Sequence, residues 1–130
     1  MGVEASTVYE PRAGQHIAVS FSALRGRYAS PQNLVTEYTF AYPVHDAVVE
    51  WRGTIVKHVI ARTRLGVLDR VGTSPYAIWD ASATYATGRV RPFLQLTNIT
   101  STVYQDVPLV AMPKRGVVGG VELYIFGASR

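Results

Sequence analysis

The chain of 130 residues contains no cysteine and no long apolar run. Without cysteine, neither a disulfide framework nor a thiolate metal site is available. A transmembrane helix needs about 20 consecutive apolar residues, so a helical membrane protein is excluded. A membrane β-barrel is not excluded, because its apolar signal is weak in each strand and is spread over many short segments.

Charged residues are also few, at 17% of the chain against 48% hydrophobic residues. The net charge of +4 comes mostly from arginine. A nucleic-acid interface would gather these arginines with exposed aromatic residues on one patch. Here they are spread over the predicted strands and turns, so we expect no nucleic-acid partner.

Catalytic and targeting motifs are missing too. The chain has no Gly-x-Ser-x-Gly elbow, no Ser-His-Asp order and no zinc motif, so we expect no enzyme and no cofactor. No basic and then apolar leader follows Met1. We therefore expect either a protein that stays inside the cell or a piece of a longer one.

Alternation of apolar and polar residues is what the chain does have. Between Ala77 and Tyr85, the odd-numbered residues are apolar or aromatic, and the even-numbered ones are polar apart from Ile78. Successive side chains of a strand point to opposite faces, so this pattern predicts a sheet with one apolar and one polar face. Seven such segments predict one all-β domain over residues 1–130, an antiparallel up-and-down meander with strands at 3–10, 15–24, 44–51, 54–69, 76–87, 90–97 and 115–126.

The predicted connections alternate strictly between short and long. Those at 11–14, 52–53 and 88–89 are short, and those at 25–42, 70–75 and 98–114 are longer. In an antiparallel meander, all the short turns then lie at one end of the sheet. Outer-membrane barrels show this asymmetry, with short periplasmic turns and longer extracellular loops.

The charged residues favour the same interpretation. In a small soluble barrel they would lie outside, whereas a large membrane barrel has lipid outside and a wet, charged lumen. Alternation alone does not say which face is convex. Trp51 and Tyr85 lie beside predicted short turns and suit an aromatic belt at one membrane interface. The polar face is predicted to carry Asp46, Glu50, His58, Arg62, Arg64, Asp80, Arg91, Gln95 and Glu122.

Short motifs in the second half of the chain follow a specific order. Leu96-Thr97-Asn98-Ile99 comes first, then Val107-Pro108 and Met112-Pro113-Lys114-Arg115, and last Val121-Glu122-Leu123-Tyr124-Ile125-Phe126. Tyr42-Pro43-Val44-His45 and Pro75-Tyr76-Ala77-Ile78-Trp79-Asp80 precede them. Together they resemble the closing segment of TonB-dependent outer-membrane receptors, the family of vitamin B12 and siderophore receptors, whose last strand finishes on an aromatic residue.

That resemblance spans essentially the whole chain and implies the last third of a 22-stranded transmembrane barrel. It implies a place in the outer membrane of a Gram-negative bacterium. The implied partners are outer-membrane lipid, the rest of the barrel with its plug, and the barrel assembly machinery. Nothing in the chain resembles the plug or the TonB box, so we expect it not to transport a nutrient alone. The alternative is a self-contained soluble β-barrel or sandwich that binds a small ligand.

Candidate site residues are few, and no ligand-binding residue is assigned. His16, His45 and His58 lie on separate predicted strands without metal-ligand spacing, so we expect polar residues of the lumen or interface and no metal site. Arg62 and Arg64 share one strand face. An anionic ligand would suit them, but cross-strand pairing with carboxylates such as Asp80 or Asp46 is favoured.

Two further motifs are interpreted structurally. Asn98-Ile99-Thr100 matches the glycosylation acceptor pattern, which would be fortuitous in a bacterial outer-membrane protein. Gly116 to Gly120 is rich in glycine but lacks the spacing of a phosphate-binding loop before a helix. Close packing of strands is the better explanation there.

Overall fold

The computed structural model describes residues 1–26, 43–71, 73–105 and 110–125. Seven strands form one antiparallel sheet in chain order, which confirms the predicted all-β meander. Over these ranges, no helix is long and apolar enough to cross a membrane. The strands are β1 (Gly2–Arg12), β2 (Gln15–Leu24), β3 (Pro43–Val56), β4 (Val59–Arg70), β5 (Tyr76–Tyr85), β6 (Val90–Thr97) and β7 (Gly116–Leu123).

The turn between β3 and β4 is the main correction to the predicted strands. It lies at Lys57 and His58, and not at 52–53, so the predicted strands 44–51 and 54–69 are wrong at their shared boundary. Gly53 is instead inside β3, opposite Gln15 of β2. A Cβ atom on Gly53 would collide with the Gln15 amide, so the glycine leaves room for a neighbouring side chain. His58 adopts the positive φ that this hairpin turn needs, at 69°.

The alternation of short and long connections is confirmed. Short connections lie at 13–14, 57–58 and 86–89, and longer ones at 25–42, 71–75 and 98–115. All the short connections are therefore at one end of the sheet, which we call the short-turn end. The predicted loop residues 27–42 and the terminal aromatic Phe126 lie outside the described residues.

One row of paired residues crosses all seven strands and shows that they are staggered. The residue that belongs to this row is two positions from the short-turn end of β2, four positions from that of β4 and six positions from that of β6. Each strand is thus displaced by about one residue from the next, which corresponds to a tilt of roughly 35° at ordinary strand spacings. Strands of closed barrels tilt by a similar angle. The row consists of Tyr9, Ile17, Trp51, Thr63, Ala81, Leu96 and Val117.

The sheet has no hydrophobic core. No large hydrophobic side chain is buried in the part of the chain that the structure describes. The accessible surface is 10047 Å², against roughly 6,800 Å² expected for a compact monomer of 14.3 kDa. A sandwich or closed barrel would need a second layer or a pairing of β1 with β7, and the described strands form neither.

Candidate functional site

One face of the sheet is apolar and exposed. It carries Val19, Val49, Leu65 and Trp79, which pair in one row across β2 to β5, and Leu94 of β6. These five residues are each 40–48% exposed. We call this surface the apolar face, and the opposite surface, with Glu50, Arg62, Asp80 and Gln95, the charged face. The register thus confirms the predicted division of the strands into an apolar and a polar side. The prediction is wrong for His58, which is not on the polar face of a strand but in the turn between β3 and β4.

The apolar face is a band with charged residues only at its ends. On β4 it begins at Val59, beside the turn residues Lys57 and His58, and reaches Asp69 near the other end. The Asp69 carboxylate pairs there with Nδ1 of His45 at 3.0 Å. Between these ends, the described strands place no Asp, Glu, Lys, Arg or His on this face. Val59 and Asp69 are ten residues apart on β4. Because the strand is tilted by roughly 35°, they are separated by about 27 Å along the height of the band, which is close to the height of the apolar band of membrane barrels.

Both tryptophans on the apolar face have a hydrogen-bond partner for the indole N–H. Trp51 donates to Oε1 of Gln15 at 2.9 Å, and Trp79 donates to Oγ1 of Thr63 at 2.6 Å. Gln15 donates in turn to the Thr54 carbonyl at 3.0 Å. Polar groups in hydrocarbon must be satisfied within the protein, and these side chains meet that requirement.

Of the two aromatic residues predicted to lie beside short turns, only Tyr85 does so. Tyr85 ends β5 beside the connection 86–89, as expected. Trp51 is five residues from the end of β3, because the turn follows Val56. The prediction placed Trp51 at an interface, but its register places it well inside the apolar band.

An ion pair lies near the centre of the charged face. Nη2 of Arg62 contacts Oε2 of Glu50 at 2.7 Å, so the predicted partners Asp80 and Asp46 are wrong. Asp80 is engaged elsewhere, since its Oδ1 accepts the backbone N–H of Asn98 at 2.8 Å. Asp46 is opposite Leu68, too far along β4 to reach Arg62. Arg64 is directly opposite both Glu50 and Asp80, but forms no ion pair with any described residue.

Asn98 ties the connection after β6 to the sheet. It is 3% exposed and adopts a positive φ of 48°. Its Oδ1 accepts the Thr102 backbone N–H at 2.9 Å, and its Nδ2 donates to the carbonyls of Thr102 at 2.8 Å and Pro113 at 3.2 Å. The Asn-x-Thr pattern therefore has a structural role at Asn98. Its sequence signal was an asparagine directly after a strand, a residue type that tolerates this backbone conformation.

This anchored segment covers part of the charged face and encloses a cleft. The Tyr104 ring stacks on Tyr76 of β5, with ring centroids 5.3 Å apart. The cleft has a volume of about 460 Å³, and its sheet side includes Arg64, Leu68, Ile78 and Asp80. Tyr104, Met112, Pro113 and Lys114 line the other side. Sequence reasoning did not identify this cleft, because residues far apart in the chain form it.

His16 and His58 each contact a side chain of a nearby residue. Nδ1 of His16 contacts Oε1 of Glu10 at 2.9 Å, and His58 packs edge-on against Tyr85. No group of three potential metal ligands occurs among the described residues.

A Cβ on Gly116 would lie 2.6 Å from Oγ1 of Thr97, and one on Gly120 would lie 2.7 Å from the Phe93 ring. Close strand packing at the glycine-rich segment is thus confirmed.

No protein-family model, curated protein or solved structure matches the chain.

Proposed function

We propose that the chain is the carboxy-terminal third of the barrel wall of a TonB-dependent outer-membrane receptor, a protein for active uptake of a scarce nutrient such as a siderophore or cobalamin. In this proposal the apolar face contacts outer-membrane lipid, and the charged face lines the lumen. The observation that carries the proposal is the charge-free apolar band about 27 Å tall, which matches the lipid-facing surface of membrane barrels.

Lipid explains why this face is exposed. Soluble monomers rarely expose contiguous apolar patches larger than a few hundred Å². Here the apolar side chains of several neighbouring strands are each at least 40% exposed and form one continuous surface. In hydrocarbon, exposure of the same surface carries no free-energy penalty, because no water contacts it. The charged residues of the opposite face remain in a water-filled lumen.

The free edges support the proposal that the wall continues beyond this sheet. Only β2 pairs with β1, and only β6 pairs with β7, among the described strands. Hydrocarbon offers no water to the unpaired N–H and C=O groups of an edge, so a membrane sheet must close or find further strands. A 22-stranded barrel supplies those strands, and the barrel assembly machinery would join them. In this proposal the wall segment does not transport a nutrient by itself.

Cysteine-directed spin labels test which environment each face contacts. The chain has no native cysteine, so single substitutions label one site at a time. We would compare two pairs of neighbours in lipid bilayers, Val19→Cys with Ser20→Cys and Leu94→Cys with Gln95→Cys. Labels at Val19 and Leu94 should collide preferentially with oxygen dissolved in lipid. Their neighbours should collide preferentially with a water-soluble nickel complex. Equal accessibility within each pair would contradict the proposal.

A further inference from the structure

We propose that the cleft between the charged face and the segment before β7 binds an organic anion with an aromatic ring, held by Arg64 and Lys114. The proposal deepens the function proposed above and rests on it, because it names a ligand class for the lumen face. Two features of the cleft carry it, namely a net positive charge among its described lining residues and an apolar, aromatic lining.

The positive charge of the cleft follows from how its neighbours are paired. Arg64 and Lys114 line the cleft, and neither forms an ion pair with a described residue. Asp80 also lines it, but its Oδ1 already accepts the Asn98 N–H. Glu50, directly opposite Arg64, is engaged by Arg62. Among the described residues that line the cleft, two cations and one carboxylate leave one net positive charge. A carboxylate or phosphate group on a ligand would neutralise it. A planar guanidinium suits such groups especially well.

The lining of the cleft determines the rest of the ligand. Ile78 and Leu68 of the sheet and Met112 of the opposite side are apolar, and Tyr104 adds an aromatic ring that is fixed by its stack on Tyr76. Methionine and tyrosine both pack well against aromatic rings. The volume of about 460 Å³ is within the range of small-molecule sites.

The cleft is also held in shape before any ligand arrives. Beyond the Asn98 network, the Thr102 hydroxyl donates to the Ala77 carbonyl at 2.6 Å. Arg115 donates to the Ile99 carbonyl from Nη2 at 2.8 Å and from Nε at 3.1 Å. The Met112 N–H donates to the Tyr104 carbonyl at 2.9 Å, joining both sides of the segment. A preformed site loses less entropy on binding.

Methionine methyl NMR tests the proposal directly, because the chain has only two methionines. Met112 lines the cleft, whereas Met1 is at the far edge of the sheet and serves as an internal reference. The chain in phospholipid nanodiscs would be titrated with benzoate and, separately, with benzamide, its neutral isostere. We expect a saturable shift of the Met112 signal with benzoate, no shift of Met1, and at least tenfold weaker binding of benzamide.

Three variants identify the groups responsible. Arg64→Gln and Lys114→Gln should each weaken benzoate binding about tenfold, because each removes a charge-assisted contact. Arg52→Gln removes a cation from the same face outside this cleft, and should leave benzoate affinity unchanged. Equal affinities for benzoate and benzamide, or an equal loss in all three variants, would overturn the anion site. Absence of a saturable Met112 shift, in a chain whose spin labels still alternate between lipid and water, would overturn this site and leave the membrane proposal standing.

Discussion

Asn98 shows at the scale of a single residue how the segment after β6 is held. Its side chain makes three hydrogen bonds to backbone groups of Thr102 and Pro113, and its own N–H is bound by Asp80. All of these groups are shielded from water to some degree. Unmade hydrogen bonds at such a position cost more than those at an exposed surface.

Replacing Asn98 by alanine should cost about 1–3 kcal/mol of folding free energy, because it leaves several backbone groups without partners. The measurement is hydrogen exchange of the Thr102 amide in bilayer-bound protein, which should accelerate. Val103→Ala is the matched control, since Val103 belongs to the same segment but is 66% exposed, and it should keep the Thr102 amide protected. Unchanged exchange in the alanine variant would show that Asn98 does not anchor the segment.

Leu94 tests the apolar band at one point. It is four residues from the short-turn end of β6, near the middle of the band. Arginine at the bilayer midplane of a membrane barrel costs about 2–4 kcal/mol, so Leu94→Arg should destabilise the protein in bilayers by that amount if it forms the proposed receptor wall. Chemical unfolding from lipid vesicles measures it. Gln95→Arg, one residue away on the charged face, should change the stability by less than about 1 kcal/mol. A similar small effect of Leu94→Arg would show that Leu94 is not in lipid.

The hairpin of β3 and β4 shows at the scale of an element how a turn signal was misleading. Gly53 follows a polar residue, as a turn glycine often does, but it lies in a strand against the side chain of Gln15. Trp51 and the Thr54 carbonyl hold that side chain in place through hydrogen bonds. The glycine is therefore required by a contact with β2 and not by the local backbone conformation.

A double-mutant cycle separates these two explanations. Gly53→Ala should destabilise the protein by about 0.5–1.5 kcal/mol, because the new methyl group displaces the Gln15 amide from its hydrogen bonds to Trp51 and Thr54. The same substitution should cost much less in a Gln15→Ala background, where the obstructing amide is gone. Urea unfolding in micelles of all four proteins gives the coupling energy. Additive effects would contradict the close approach and would favour a requirement of the backbone itself.

At the scale of the whole molecule, the described strands form one sheet with an apolar face and two free edges, and no second layer of described residues covers either. Burial of apolar surface is the main driving force for folding, and no described large hydrophobic residue is buried here. The sheet therefore depends on its surroundings for stability, whether these are lipid, further strands or other copies of the chain.

Without detergent, the isolated chain should consequently associate and not remain a folded monomer. Both the exposed apolar face and the unpaired backbone groups of β1 and β7 promote association. Size-exclusion chromatography with light scattering measures the mass, and the same chain in micelles is the control. A monodisperse monomer in water with slowly exchanging amides in β1 and β7 would instead indicate a self-contained soluble domain.

Local sequence patterns are sufficient to predict the seven strands, their two faces and the alternation of short and long connections, but not the boundary between β3 and β4. These features depend on local information, namely a period of two in side-chain polarity and turn residues between the strands. The prediction of close strand packing at the glycines of β7 is also confirmed, since a glycine in a strand often marks a place where a neighbouring strand comes close.

The tertiary structure decided which residues meet across strands. Arg62 pairs with Glu50 because the register brings them within reach, while Asp80 is taken by a residue 18 positions later in the chain. The Lys57–His58 turn carries no glycine, proline or asparagine, so no local signal marked it. The cleft joins Arg64 to Lys114 in the same way, across a long stretch of chain. Register and loop docking are non-local properties, and they are set by the summed energy of many contacts that no short window of sequence contains.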